Sequence, residues 1–261
     1  MKQSIVIKEI RDYLKLKSDK KLIEKYSKFF KEGYDSYGIC TEVFNSLLKT
    51  MLDKYILISD LDEVLSLGNE LFASGKYEEG SLAISFISAL RKRESKLAKK
   101  KPYPNSQLLL EFDRKVFHQL QIWFDKWILN WAHTDITCSE LLGKMLIDNN
   151  ITIKDFSQWK KSSSKWTRRA VPVSMIALLK VQKDLSPLLN YIDIMMMDTE
   201  RPVQQGLGWF LREAWKKQPA TVEKFLLKWK KTAPRLIFQY ASEKMDKEQR
   251  EKFRRSKKKL A

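Results

Sequence analysis

The sequence predicts an all-α protein arranged as an α-solenoid, on three observations. Glycine (8) and proline (7) are scarce among 261 residues. Apolar residues recur at three- and four-residue spacing through most of the chain, the period of helices with one buried face. The segments so defined are numerous and closely joined, and helices of one to two dozen residues with tight turns pack as antiparallel pairs that stack on one another. No sharp repeat period stands out, so a compact bundle is the alternative.

In chain order, the spacing predicts helices over residues 3–16, 19–31, 40–55, 59–74, 77–94, 108–130, 136–149, 151–160, 167–181, 184–196, 200–216, 219–230, 233–242 and 246–258. At 43% hydrophobic residues the chain can bury a substantial core, and residues 1–261 are expected to form one helical-repeat domain. Within it lie amino-terminal helices (1–90), a basic proline-containing loop (91–106), carboxy-terminal helices (107–246) and a basic tail (247–261). The loop is inferred from Arg91, Lys92, Arg93, Lys96, Lys99, Lys100 and Lys101, which precede Pro102 and Pro104. A run of like charge is ordinarily a solvated linker, with phosphate contact as the alternative.

Lysine and arginine total 50 against 32 acidic residues, a formal charge of +18 with pI near 9.7. Such a field concentrates polyanions without reading their sequence. No apolar run reaches the ~20 residues of a membrane span, and the charged start, MKQSIVIKEIRDYLK, is unlike a signal peptide. Cys40 and Cys138 stand far apart, and neither His118 nor His133 has ligand-type neighbours at metal-binding spacing. A cytoplasmic monomer without metal, cofactor or membrane attachment is the expectation.

Three stretches carry residues that ask for a chemical explanation. Wound as a helix, residues 203–217 place Val203, Leu207, Phe210 and Ala214 on one face and Gln205, Trp209, Arg212 and Lys216 on the other. A tryptophan among cations suits a sugar or base with phosphates nearby; cover by a neighbouring helix is the equal alternative. Trp123, Trp127 and Trp131 recur every four residues. The first two read as core, while Trp131 ends the stripe four residues before Asp135, near enough for both to border one cavity. Asp135 could instead cap a helix beginning near Ile136. Finally, Lys165, Trp166, Arg168 and Arg169 precede an apolar helix in which Pro172 lies in the first turn or makes a kink. Arginines there oppose the helix dipole unless a phosphate or a carboxylate compensates.

NWAHTDITCSELLGKML, KWTRRAVPVSMI and VQQGLGWFLREAWKKQP together resemble the AlkD-like DNA alkylation-repair glycosylases, most strongly over residues 120–220. The family's tryptophan, aspartate four residues later, arginine, and tryptophan in a GW-x-LRE-like helix match Trp131, Asp135, Arg169 and Trp209. Arg169 is preferred to the adjacent Arg168 because it stands three positions after Trp166. Arg212 matches the end of the GW motif.

The resemblance implies HEAT-like repeats with a basic concave surface for duplex DNA. It also implies hydrolysis of the N-glycosidic bond of cationic N3- or N7-alkylated purines without drawing the lesion into a deep pocket. In that reading Asp135, Trp131 and Trp209 stabilise the emerging cationic sugar. Arg169, Arg168, Arg212, Lys165 and Lys216 contact DNA. The first hundred residues match no family motif, and His133 in WAHTD is unusual and reads as structural or phosphate-adjacent. The alternatives are a noncatalytic DNA-structure binder and a protein-binding solenoid.

Overall fold

The protein was described from a computed structural model, which covers residues 2–100 and 102–254; side chains of residues 102–105 are not described. Among the described residues every regular element is helical. The chain divides into two compact units, residues 1–141 and 142–261.

The first unit contains α1 (Gln3–Leu16), α2 (Lys20–Ser27), α3 (Thr41–Lys54), α4 (Leu61–Ala73), α5 (Tyr77–Lys100), α6 (Pro102–Lys126) and α7 (Trp131–Thr137). Helices α4 and α6 both pack on the long α5 and touch each other, and α5 is buried along most of its first half. Caps define the starts where the sequence supplies them: Asp19 and Asp60 accept from the amides of Lys21 and Glu63, the usual satisfaction of orphan donors. Two buried carboxylates at the start of α5 then organise the irregular segment after α2. Glu78 accepts from Ser36 Oγ and from the amides of Tyr37, Gly38 and Ile39 at 2.7–3.1 Å. Glu79 accepts from Arg11 and from the Tyr37 hydroxyl.

The second unit contains α8 (Gly143–Ile147), α9 (Lys165–Met175), α10 (Ser186–Ile192), α11 (Arg201–Trp215), α12 (Pro219–Trp229), α13 (Arg235–Ala241) and α14 (Lys247–Glu251), with short 3-10 turns between several of them. Helix α11 is its centre, packed against α9, α12 and α13. Val203, Leu207, Phe210 and Ala214 are completely buried, as their shared face predicts.

Two sequence expectations are corrected, and one pair of alternatives is decided. Residues 91–100 and 102–106 of the basic stretch are not a loop, because α5 runs to Lys100 and α6 starts at Pro102; Lys101 lies outside the described residues. Proline suits a first turn, where its missing N–H has no helical partner. Arg91 faces inward, 3% exposed, and its guanidinium meets the fully buried Asp113 of α6 through two hydrogen bonds of 2.8 and 2.7 Å. Lys92, Lys96, Lys99 and Lys100 remain on the outer side of the same helix. Secondly, the segments 136–149 and 151–160 are not single helices: a π-helical turn covers Cys138–Leu142, and 3-10 turns cover Ile153–Phe156 and Trp159–Lys161. Thirdly, Pro172 is inside α9 and not in its first turn; the chain tightens into a 3-10 turn over Ile176–Lys180 soon after it. Residues 255–261 of the basic tail lie outside the described residues.

The Arg91 pair gives a stability prediction. Asp113→Ala leaves a buried guanidinium without its carboxylate, and breaking a buried pair by removing one partner costs about 3–5 kcal/mol. A lowered urea midpoint relative to the unmodified chain is the expected result, and an unchanged midpoint contradicts it.

Candidate active site

The tryptophan stripe of α6 does not continue to Trp131. Helix α6 ends at Lys126, the amide of Ile128 turns back to the Trp123 carbonyl, and Asn130 caps a new helix, α7. Asn130 Oδ1 accepts from the His133 amide at 2.8 Å, its side-chain nitrogen donates to His133 Nδ1 at 3.0 Å, and its carbonyl accepts from Thr134 Oγ1. The imidazole therefore carries its proton on Nε2, which donates to the Tyr77 carbonyl at 2.9 Å and lies 3.2 Å from Ser81 Oγ. Space for the ring comes from Gly80: a Cβ there would stand 2.7 Å from His133 Cε1. His133 is thus a buried structural residue.

This new helix start changes the roles of Trp131 and Asp135. With Asn130 as cap, Asp135 lies one turn inside α7 and is not a cap. His133, Thr134 and Thr137 face the core, whereas Trp131 and Asp135 share the outer side. Trp131 is 41% exposed; its Nε1 donates to the Phe29 carbonyl at 3.1 Å and its ring stacks on Phe30, 5.6 Å between centroids. Asp135 is partly exposed. The π turn at Cys138–Leu142 follows immediately, an arrangement that recurs near functional sites. Trp123 is buried, its Nε1 held by Asn69; Trp127 is only half-buried and lines a cleft instead of the core.

In the second unit, Ser164 caps α9. Arg168 is engaged within the protein: Nε and Nη2 reach the Asp198 carboxylate at 2.6 and 3.2 Å, and Nη1 reaches the carbonyls of Ser162 and Ser163. The carboxylate that compensates this arginine at the helix start is therefore Asp198, which also accepts from the Glu200 amide just before α11. Arg169 is 7% exposed and donates to the Pro202 carbonyl at 2.7 Å. Its Cγ stands 3.2 Å from where a Cβ on Gly206 would be, and a Cβ on Gly208 would lie 2.8 Å from the Ile237 carbonyl. The two glycines let α9 and α13 approach α11.

Trp209 is half-buried on α11, away from the apolar face. Beside it, Gln205 donates to the Tyr240 hydroxyl at 2.7 Å. Arg212 pairs with Glu213 and Glu243, and the exposed Lys216 with Glu213. Lys165 lies 5.4 Å from the centre of the buried Trp166 ring. Several of the cations expected to grip phosphate are therefore shared with carboxylates. Sequence reading missed Lys160, whose ammonium sits 3.7 Å over the Tyr191 ring; burial, followed by the Lys161 charge, lowers its pKa. It also missed the rings of Phe30, Tyr34 and Tyr77, which crowd together in the first unit; the dense aromatic content of residues 26–37 was the available signal.

Among the described residues no group of three or more histidine, cysteine, aspartate or glutamate side chains is placed to hold a metal ion, and no helix is long and apolar enough to cross a membrane. Regular structure that is entirely helical among the described residues and a formal charge of +18 define a basic all-α helical-repeat protein. The chain belongs to the DNA alkylation repair enzyme family, whose model matches residues 10–245. It is similar in fold to the solved structure of a predicted DNA alkylation repair enzyme from Enterococcus faecalis, with a TM-score of 0.66 and 16% identity over 88% of this chain and 98% of that one. Comparison with curated proteins gave no significant match.

His133 generates a pH prediction. Burial pushes its pKa from 6.5 down to about 4, against the upward pull of the Tyr77 carbonyl. The unfolded chain takes up this proton first, so the stability associated with neutral His133 is fully present above about 6.5 and is lost as pH falls toward about 4. At roughly 1.4 kcal/mol per unit the total loss is about 3 kcal/mol. Urea midpoints measured down this range should fall in the native chain, with the His133 contribution absent from His133→Gln.

Proposed function

We propose that this protein is a DNA glycosylase that hydrolyses the N-glycosidic bond of cationic N3- or N7-alkylated purines in duplex DNA and leaves an abasic site. The observation that carries the proposal is the partly exposed Asp135 carboxylate, one helical turn from the exposed Trp131, in a member of the DNA alkylation repair enzyme family. Alkylation already places positive charge on the base, so the base departs as a neutral molecule without first being protonated. The C–N bond electrons go with it, and water forms the new C–O bond to the anomeric carbon and loses a proton to solvent.

What the protein must supply is stabilisation of the positive charge that develops on the sugar. A fixed carboxylate does this electrostatically and can orient the water, the role assigned to Asp135. The faces of Trp131 and Trp209 are assigned to favouring positive charge through their quadrupoles. Arg169, Lys165, Lys216 and Arg212 are assigned to DNA contact, which the +18 charge supports through counterion release. Arg168, held by Asp198, is assigned to positioning the start of α9.

Base release from methylated duplex DNA tests the proposal. Asp135→Asn should slow release by about 10²–10³-fold, the scale of losing one preorganised electrostatic group, while duplex affinity and its salt dependence are retained. Duplex binding with no base release by the unmodified chain would instead favour a noncatalytic DNA-structure binder.

A further inference from the structure

The second unit holds two adjacent lysines that share a cavity without an acid to neutralise them. Lys160 and Lys161 end the short 3-10 turn Trp159–Lys161, and with Ile194, Met195, Met197 and Asp198 they line a cavity of about 200 Å³. The Lys160 ammonium lies 3.7 Å from the centre of the Tyr191 ring and donates to the Tyr191 carbonyl at 3.3 Å. Neither lysine has a carboxylate partner among the described residues. Burial and the Lys161 charge both disfavour the charged form of Lys160, and no acid offsets them. Cations held in this way are prepared for an anion, because an arriving negative charge relieves their repulsion.

The acid in the lining is already engaged elsewhere. Asp198 accepts from Arg168 Nε and Nη2 and from the Glu200 amide. It thereby links the cavity to the start of α9, where Lys165 and Arg169 are assigned to DNA contact. The volume is below the roughly 300–1,000 Å³ of small-molecule sites and accepts a single phosphate group. Ile194 and Met197 of the lining are 66% and 51% exposed, an apolar surface of no use to a free phosphate but suited to the carbons of a deoxyribose. Cations for phosphate beside apolar atoms for sugar match one unit of a nucleic-acid backbone.

We infer that Lys160 and Lys161 form a site for a backbone phosphate of duplex DNA, with Ile194 and Met197 against the adjoining deoxyribose. For its ligand the inference rests on the duplex-DNA part of the glycosylase reading, and it is independent of the chemistry assigned to Asp135. Such a contact fixes the position of the duplex without reading its bases.

Duplex affinity of the full chain, measured by fluorescence anisotropy across a range of salt concentrations, provides the test. A phosphate contact contributes about 0.9 to the slope of log K against log salt. The double variant Lys160→Gln/Lys161→Gln should therefore flatten the slope by about 0.9 and bind about tenfold more weakly at low salt. Ile194→Glu, at an exposed position, should also weaken binding by setting a carboxylate beside the phosphate, with cooperative melting confirming that each variant is folded. The charge-matched variant Lys8→Gln/Lys49→Gln, on exposed lysines of the first unit paired with Asp12 and Asp53, should leave the slope unchanged. A slope unchanged in the folded Lys160/Lys161 variant, or flattened equally by the charge-matched one, overturns the inference. Calorimetric titration with inorganic phosphate separates the two sources of the anion: saturable binding that the Lys160/Lys161 variant abolishes while the duplex slope stays the same assigns the cavity to free phosphate and overturns the inference as well. A flattened slope in a chain that releases no base from methylated DNA leaves the inference standing and removes the glycosylase reading; base release with an unchanged slope does the reverse.

Discussion

The hydrogen-bonded arrangement around His133 is the constraint on which the first unit's candidate site depends. An imidazole taken out of water must be neutral or paired, and here Asn130 and the Tyr77 carbonyl satisfy both ring nitrogens of the neutral form. The same Asn130 caps α7, and the same His133 ring stacks on Tyr77. One buried residue therefore determines where α7 begins, which side of it carries Trp131 and Asp135, and how the aromatic cleft is walled. Gly80 is the condition for all of this, because any side chain there would meet the imidazole.

In the second unit an ion pair and two close helix contacts have the corresponding function. Asp198 receives Arg168 from α9 and the amide that leads into α11, tying the starts of two helices together. Gly206 and Gly208 then bring α11 close to its neighbours on successive sides. Trp209 stands between these glycines' helix and solvent as a half-buried ring, with its neighbours Gln205 and Arg212 already tied to other side chains. Arg212 and Lys216 are thus held in position by acids, so a phosphate at either would compete with an existing partner.

Helix spacing was legible wherever a helix has one apolar stripe. Helix α1 matches its expected limits at Gln3–Leu16, and α11 matches within a residue, with Val203, Leu207, Phe210 and Ala214 buried as their shared face predicts. The pattern misled where charge lies inside. Arg91 looked like the start of a solvated basic run, but Asp113, twenty-two residues later, takes it into the core. Trp131 looked like the last member of a four-residue repeat, although Asn130 restarts the helix beneath it. Asp113 is remote in sequence and Asn130 acts through its cap, and the periodicity of apolar residues contains no information about either.

The sequence by itself determined the all-α class, the excess of positive charge, and the motifs around Trp131, Asp135, Arg169 and Trp209 on which its resemblance to the family was read. These depend on residue type and on spacing along one helix, which a linear chain records directly. Tertiary structure alone decided that Asp135 is a helix-face residue and not a cap, that Arg168 belongs to Asp198, and that rings from residues 30, 34, 72, 77, 127 and 133 enclose one cleft. The last two are competitions among partners distant in sequence for the same charge or volume, and the first is a choice among neighbouring caps; each outcome is set only when the helices pack.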